Sequence, residues 1–181
     1  MTITAEKYQE ELLDCENFSI SSESFIKTVQ AKKGEKLLFI GEPYSPAVFP
    51  LIRAKAQVTA LTQAEEIDEL ESGFDGIVTQ FGLHQSADPL HLLTAAFALL
   101  KTNGRLVADL AEAKVLEDRG GYSYQASLAD YWTLIQQAGF EAVLVQQISV
   151  NNAEEAIKQG WQDLAGANSY PITVNRFIAV K

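Results

Sequence analysis

Cysteine, histidine and basic residues are all scarce in this chain, and each scarcity removes a class of function. Cys15 is the one cysteine among 181 residues, so an internal disulfide, a CxxC redox pair and a cysteine-based zinc site are excluded. At that position it reads as a half-buried helix residue. Two separated histidines, His84 and His91, do not offer metal-ligand spacing, and no metal is expected. Lys and Arg number 14 against 24 Asp and Glu, a net charge of −10, and no basic run occurs. A nucleic-acid backbone needs clustered cations, so nucleic acid is not an expected partner, and the acidity serves solubility. No apolar run approaches the roughly 20 residues that span a bilayer. The opening MTITAEKYQEELL has acids where a signal peptide has its apolar stretch. The expectation is a cytoplasmic protein without a membrane partner. No Ser-His-Asp arrangement, phosphate loop or paired-carboxylate motif is evident.

What is present is an alternation of strand and helix signals, organised around residues 35–46, EKLLFIGEPYSP. Leu37, Leu38, Phe39 and Ile40 form a short continuous apolar run, the pattern of a strand buried on both faces. Gly41 ends it. Ser45 and Pro46 have the chemistry of an N-cap and a first helical residue. Pro50 lies four residues on, so the helix is kinked or begins near Phe49 and Pro50. Strand, glycine turn and helix start is how nucleotide-binding α/β domains open.

Further strands are expected over residues 57–61, 75–80, 105–110, 142–150 and 172–180. Two amino-terminal helices, over residues 5–14 and from Ser21 or Ser22 to Lys33, precede the first strand. Asp88 and Pro89 start a helix whose apolar stripe is Leu92, Leu93, Ala96, Leu99 and Leu100, stopped at Asn103-Gly104. Ser127 caps another, with Asp130 in the capping-box position. Asn152 caps a last helix reaching about Ala165. The whole is one α/β domain over residues 1–181 with a mostly parallel sheet of about six strands. Helices lie on both faces, and residues 1–34 pack on the sheet.

Residues 74–110, FDGIVTQFGLHQSADPLHLLTAAFALLKTNGRLVADL, resemble the central block of class I S-adenosylmethionine-dependent methyltransferases. The likeness rests on Phe74-Asp75, Leu83-His84, Asp88-Pro89, Leu100-Lys101 and Gly104-Arg105. The later Ala138-Gly139-Phe140 turn and the closing 176–181 strand are similar to the family too. The resemblance implies a Rossmann-like methyltransferase sheet over about residues 35–181. It also implies a cofactor pocket at Gly41, Glu42, Tyr44, Thr62, Gln80 and His84. It assigns no catalytic residue.

The departures from the family pattern fall in that pocket. Pro43 and Ser45 stand where the family has the second and third glycines of its first turn, and Pro43 lacks an N–H. Glu42 adds a carboxylate. Thr62 replaces the acid that holds the ribose hydroxyls, and one hydroxyl cannot accept two bonds as a carboxylate does. Residues 62–74 are too few for the family's helix and third strand. The expectation is therefore a methyltransferase-fold protein without S-adenosylmethionine, acting as a non-catalytic binding or partner protein. The alternative is an active methyltransferase of a small molecule with a rearranged pocket. The missing strand leaves residues 57–61 as a sheet edge, either covered by residues 65–69 as a helix with Ile67 and Leu70 inward or open to a protein partner or a second copy. Asp109, at a strand end, is a further pocket candidate. Tyr122, Tyr124, Tyr131 and Trp132 form either an aromatic lid or a mixture of core and surface.

Overall fold

The computed structural model describes residues 1–4, 27–116, 122–161, 164, 166 and 169–181. Its elements are β1 (Thr2–Ile3), β2 (Lys36–Ile40), a 3-10 turn (Pro46–Val48) running into α1 (Phe49–Arg53), and β3 (Gln57–Leu61). A second 3-10 segment (Ala64–Glu69), β4 (Phe74–Gln80), α2 (Gly82–Gln85) and α3 (Pro89–Leu99) follow. The chain closes through β5 (Leu100–Ala111), α4 (Ala113–Leu116), α5 (Leu128–Gln137), β6 (Ala142–Val150), α6 (Ala153–Lys158) and β7 (Ile172–Val180). The sheet order is β1-β3-β2-β4-β5-β7-β6. β3, β2, β4 and β5 are parallel, and β7 runs antiparallel to both β5 and β6.

The continuous apolar strands are buried on both faces, as parallel strands must be. Leu38, Ile40, Ile77 and Leu106 face a core closed by Leu92, Leu93, Ala96 and Leu99 of α3 and by Tyr131 and Ile135 of α5. Leu37, Phe39, Val78 and Val107 face the other side, beneath Leu51 of α1. The helix starts follow their caps. The Asp88 carboxylate accepts from the His91 N–H at 2.9 Å ahead of Pro89. Ser127 and Asp130 form a reciprocal capping box, and Asn152 accepts from the Glu155 N–H. Ser45 caps the 3-10 turn at Pro46, and the α-helix proper starts at Phe49, where Pro50 can occupy the first turn at no hydrogen-bonding cost.

Four expectations need correction. The sheet has seven strands rather than about six, because Thr2 and Ile3 pair antiparallel with Thr59 and Val58. The slot beside β3 is thereby closed: the Met1 amino group donates to the Ala60 carbonyl at 2.8 Å, and the Ala60 N–H to the Met1 carbonyl at 2.7 Å. So the edge expected to be open to a partner is covered by the chain's own first residues. α3 ends at Leu99, not at Asn103-Gly104, since residues 100–103 already belong to β5. α6 ends at Lys158, because Gly160 adopts φ +79° and turns the chain back toward β4. Residues 62–73 hold no strand, as their length requires, and Ile67 anchors their 3-10 segment in the core. Cys15 and the helices expected over 5–14 and most of 21–33 fall on residues 5–26, outside the described residues.

Candidate functional site

The sheet order reverses between β2 and β4, and a cavity of about 260 Å³ opens beyond the carboxyl ends of those two strands. That is where open α/β sheets hold ligands, because neighbouring connections there leave in opposite directions. Four of the six residues implied by the resemblance line it: Gly41, Glu42, Tyr44 and Gln80. Thr62 does not, and is exposed beyond the end of β3. His84 does not either, being fully buried behind the wall. Ser45, read as a helix cap, lines it too, and reading motifs missed Phe39, Phe81, Gln85, Gly160 and Trp161, which complete the described lining.

The turn after β2 is built to satisfy itself. The Gly41 N–H donates to the Leu61 carbonyl at 2.9 Å, the Ser45 N–H to the Glu42 carbonyl at 3.0 Å, and the Val48 N–H to the Ser45 carbonyl at 2.9 Å. The Ala47 N–H reaches the Ser45 hydroxyl at 3.4 Å, and Pro43 and Pro46 have no N–H. Six of the eight positions from 41 to 48 therefore offer no amide to a ligand. A glycine-rich cradle works by presenting such amides. Among the described residues, Glu42 is the one carboxylate on the wall, and no described Lys, Arg or His accompanies it.

The opposite wall comes from the turn after β4. Phe81 sits at φ +64°, a left-handed conformation that a bulky side chain adopts only when its surroundings impose it. Here its N–H donates to the Asp109 carbonyl at 3.0 Å, tying the turn to β5. Thr79 donates to the Ile40 carbonyl at 2.9 Å and accepts from the Gly82 N–H at 3.1 Å. A Cβ at Gly82 would collide with the Thr79 hydroxyl, so glycine is required there by close approach.

Asp109 is not a pocket residue. Its carboxylate is fully buried and takes four donors. Arg176 supplies Nε at 2.6 Å and Nη2 at 2.9 Å, Trp161 supplies Nε1 at 2.8 Å, and Gln80 supplies Nε2 at 3.3 Å. Gln80 also donates to the Gln159 carbonyl at 3.0 Å. The segment after α6 is thus fastened across the ends of β4 and β5, filling the part of the crevice nearest Asp109. Lone charges in the apolar strands RLVADL and ITVNRFIAV were the available signal, since a buried charge must find an opposite one.

His84 is a structural pin. Its Nδ1 lies 2.9 Å from the Tyr124 carbonyl and 2.9 Å from the Tyr131 hydroxyl, and its Nε2 accepts from the Ala111 N–H at 3.0 Å. An accepting Nε2 and a carbonyl at Nδ1 together fix the neutral ring with the proton on Nδ1. Burial pushes its pKa down to about 4, and burial pushes the Tyr131 hydroxyl up to about 12. Tyr122 and Tyr131 meet the imidazole edge-on, and with Tyr131 buried and Tyr122, Tyr124 and Trp132 half-buried the aromatic cluster is a mixture of core and surface. His91 is exposed and pairs with Asp68 at 2.8 Å.

A second cavity, about 300 Å³, lies at the opposite end of the strands, among Glu35, Asp75, Lys101 and Arg105. Four of its charges are spent on each other: Arg105 on Glu35 at 2.8 Å and Lys101 on Asp75 at 2.7 Å. Burial pushes the Glu35 carboxyl up, but the bonds from Arg105 and the Lys32 N–H outweigh it and hold the group below its usual value.

No family model and no curated protein matches the sequence. Solved structures match in shape. A cyclopropane synthase from Mycobacterium tuberculosis superposes with a TM-score of 0.63 at 14% identity, over 92% of this chain and 87% of that one. An S-adenosylmethionine-dependent methyltransferase from Thermotoga maritima gives 0.55 at 15%, over 97% and 95%. A phosphoethanolamine N-methyltransferase from Haemonchus contortus, solved with S-adenosylhomocysteine, gives 0.60 at 13%, over 99% of this chain and 58% of that one. The fold is that of the class I S-adenosylmethionine-dependent methyltransferases. Within the described residues, this methyltransferase fold places β1, antiparallel, beside β3 and has no strand between β3 and β4. No described helix is long and apolar enough to cross a membrane, and no described cluster of His, Cys, Asp or Glu could hold a metal ion.

Proposed function

We propose that this methyltransferase-fold chain does not bind S-adenosylmethionine. In this reading it is a non-catalytic binding protein whose cavity takes a small ligand bearing an amine rather than a carboxylate. The self-satisfied turn of residues 41–48 carries the reading. An amino-acid carboxylate entering beside Gly41 would lose its water, find most of the turn's amides committed or absent, and meet Glu42. Thr62, exposed and outside the cavity, supports the same conclusion for the ribose. An amine meets the reverse situation: a carboxylate at the rim, the Gln80 and Gln85 amides, and the rings of Tyr44, Phe39 and Trp161 as walls. The volume of about 260 Å³ lies just below the usual range for drug-sized ligands, roughly 300–1,000 Å³, which favours a small one.

Calorimetry on the full chain with S-adenosylmethionine and S-adenosylhomocysteine tests the reading. No heat of binding is expected. Micromolar affinity, or a cofactor carried through purification, overturns it in favour of an active enzyme with a rearranged pocket. Ethanolamine and putrescine are suitable amine probes, with acetate as the control. The amines should shift the amide resonances of Glu42, Tyr44 and Gln85, acetate should not, and Glu42→Gln should abolish the effect.

A further inference from the structure

The two edges of the sheet are finished in different ways. β3 is five residues long and is sealed by Thr2–Ile3. At the other edge, β6 runs for nine residues, paired with β7 in unbroken register from Ala142↔Val180 to Val150↔Ile172. Among the described residues no strand covers its outer side. Natural edge strands are shortened, bulged, or guarded with lysine or proline, because their free N–H and C=O groups template another strand. β6, AVLVQQISV, has none of these guards. It carries no charge in a chain of net −10, and its Leu144 is 63% exposed.

The sequence of β6 also suits one particular neighbour. When a strand pairs antiparallel with its own copy across a twofold normal to the sheet, residues of the same face meet, so the axis passes through a residue. An axis at Gln146 is the choice that engages all nine positions. It sets Leu144 against Ile148, Ala142 against Val150, Val145 against Gln147 and Val143 against Ser149. Just outside, Glu141 meets neutral Asn151, so no like charges face each other. We propose that β6 pairs antiparallel with β6 of a second copy about Gln146, joining two sheets into one continuous sheet. This isologous contact is closed, which explains how an unguarded edge avoids open-ended polymerisation.

The proposal does not depend on what the cavity binds. Light scattering and sedimentation of the full chain over a dilution series should give a dimer. Gln146 is exposed and faces its own copy, so Gln146→Lys and Gln146→Glu each place like charges together. Each variant alone should raise the dimer dissociation constant several-fold with an unchanged circular dichroism spectrum. An equimolar mixture of the two should recover a heterodimer. Amides of residues 142–150 should gain hydrogen-exchange protection with concentration. A chain that stays monomeric throughout overturns the proposal. So does a dimer that neither variant weakens, or a mixture that does not recover, since the contact then lies elsewhere.

Discussion

Where the parallel strands begin, Arg105 meets Glu35 at 2.8 Å with 20% and 17% of their side chains in water. Where they end, Arg176 meets Asp109 at 2.6 Å with none. The first pair lines an open cavity and ties backbone to strand: Arg105 also donates to the Val29 carbonyl at 2.6 Å and the Gln30 carbonyl at 3.3 Å. The second is sealed under Trp161 and takes donors from β4, the segment after α6 and β7. Water can replace a lost partner at the first site and cannot at the second. The crevice end of this fold is therefore organised as a core, while the opposite end is organised as a surface.

The largest effect should come from breaking the sealed pair. Arg176→Met leaves the Asp109 carboxylate buried with its strongest donors gone, and an uncompensated buried charge costs about 3–5 kcal/mol. Asp109→Leu should cost about as much, for it strands Arg176 and also the Trp161 and Gln80 donors. The double variant should recover part of the loss, because the apolar pair leaves no charge unpaired. Urea denaturation of the three variants reads this coupling. Additive losses would mean that the pair is not one unit.

His84 gives the next effect, and it has a pH signature. Its pKa of about 4 in the folded chain lies below the ordinary 6.5. Between those values the unfolded chain takes up a proton that the folded chain refuses, so stability falls as pH drops through this window. Above about pH 6.5 the contribution is intact, and below about pH 4 roughly 3 kcal/mol has been lost. His84→Gln should flatten this part of the stability profile. An unchanged slope between pH 6.5 and 4 would assign it to other groups.

Arg105→Met should cost less, about 1 kcal/mol, because solvent screens a pair with a fifth of each side chain exposed. That loss should shrink in high salt, whereas the loss at Arg176 should not.

The order of these effects also measures how much could be read from sequence. Strand positions were legible because four- to nine-residue apolar runs between glycine and polar turns leave little choice, and the caps at Asp88, Ser127 and Asn152 are local chemistry. The missing third strand was legible from length alone. What replaced it was not, since Thr2 and Ile3 reach β3 from 55 residues or more away and two residues carry no periodicity. Gly41, Glu42, Tyr44 and Gln80 could be placed at the cavity from sequence because they sit at or just beyond strand ends beside the motifs. Trp161 and Gly160 were not found, because α6 stops early and folds back, a tertiary event at one glycine. The Asp109–Arg176 pair spans 67 residues, so no window contains both charges.

The smallest effect should come from Lys158→Ala. Lys158 and Glu154 lie one turn apart on α6, with Nζ 2.7 Å from Oε1, a shorter contact than that of Arg105 with Glu35. Distance alone would rank the α6 pair above the cavity pair. Exposure reverses the ranking: the two side chains are 49% and 78% in water, and both must give up rotamer freedom to stay in register. The carboxylate stands N-terminal to the cation and the cation lies in the last turn, which is the favourable arrangement on a helix. Even so, α6 has only six residues and is held by the Asn152 cap and by buried Ala156 rather than by its surface. Denaturation midpoints of Lys158→Ala and the parent chain should therefore agree within error at ordinary salt. A loss at Lys158 equal to that at Arg105 would show that contact distance, not burial, sets the worth of ion pairs in this protein.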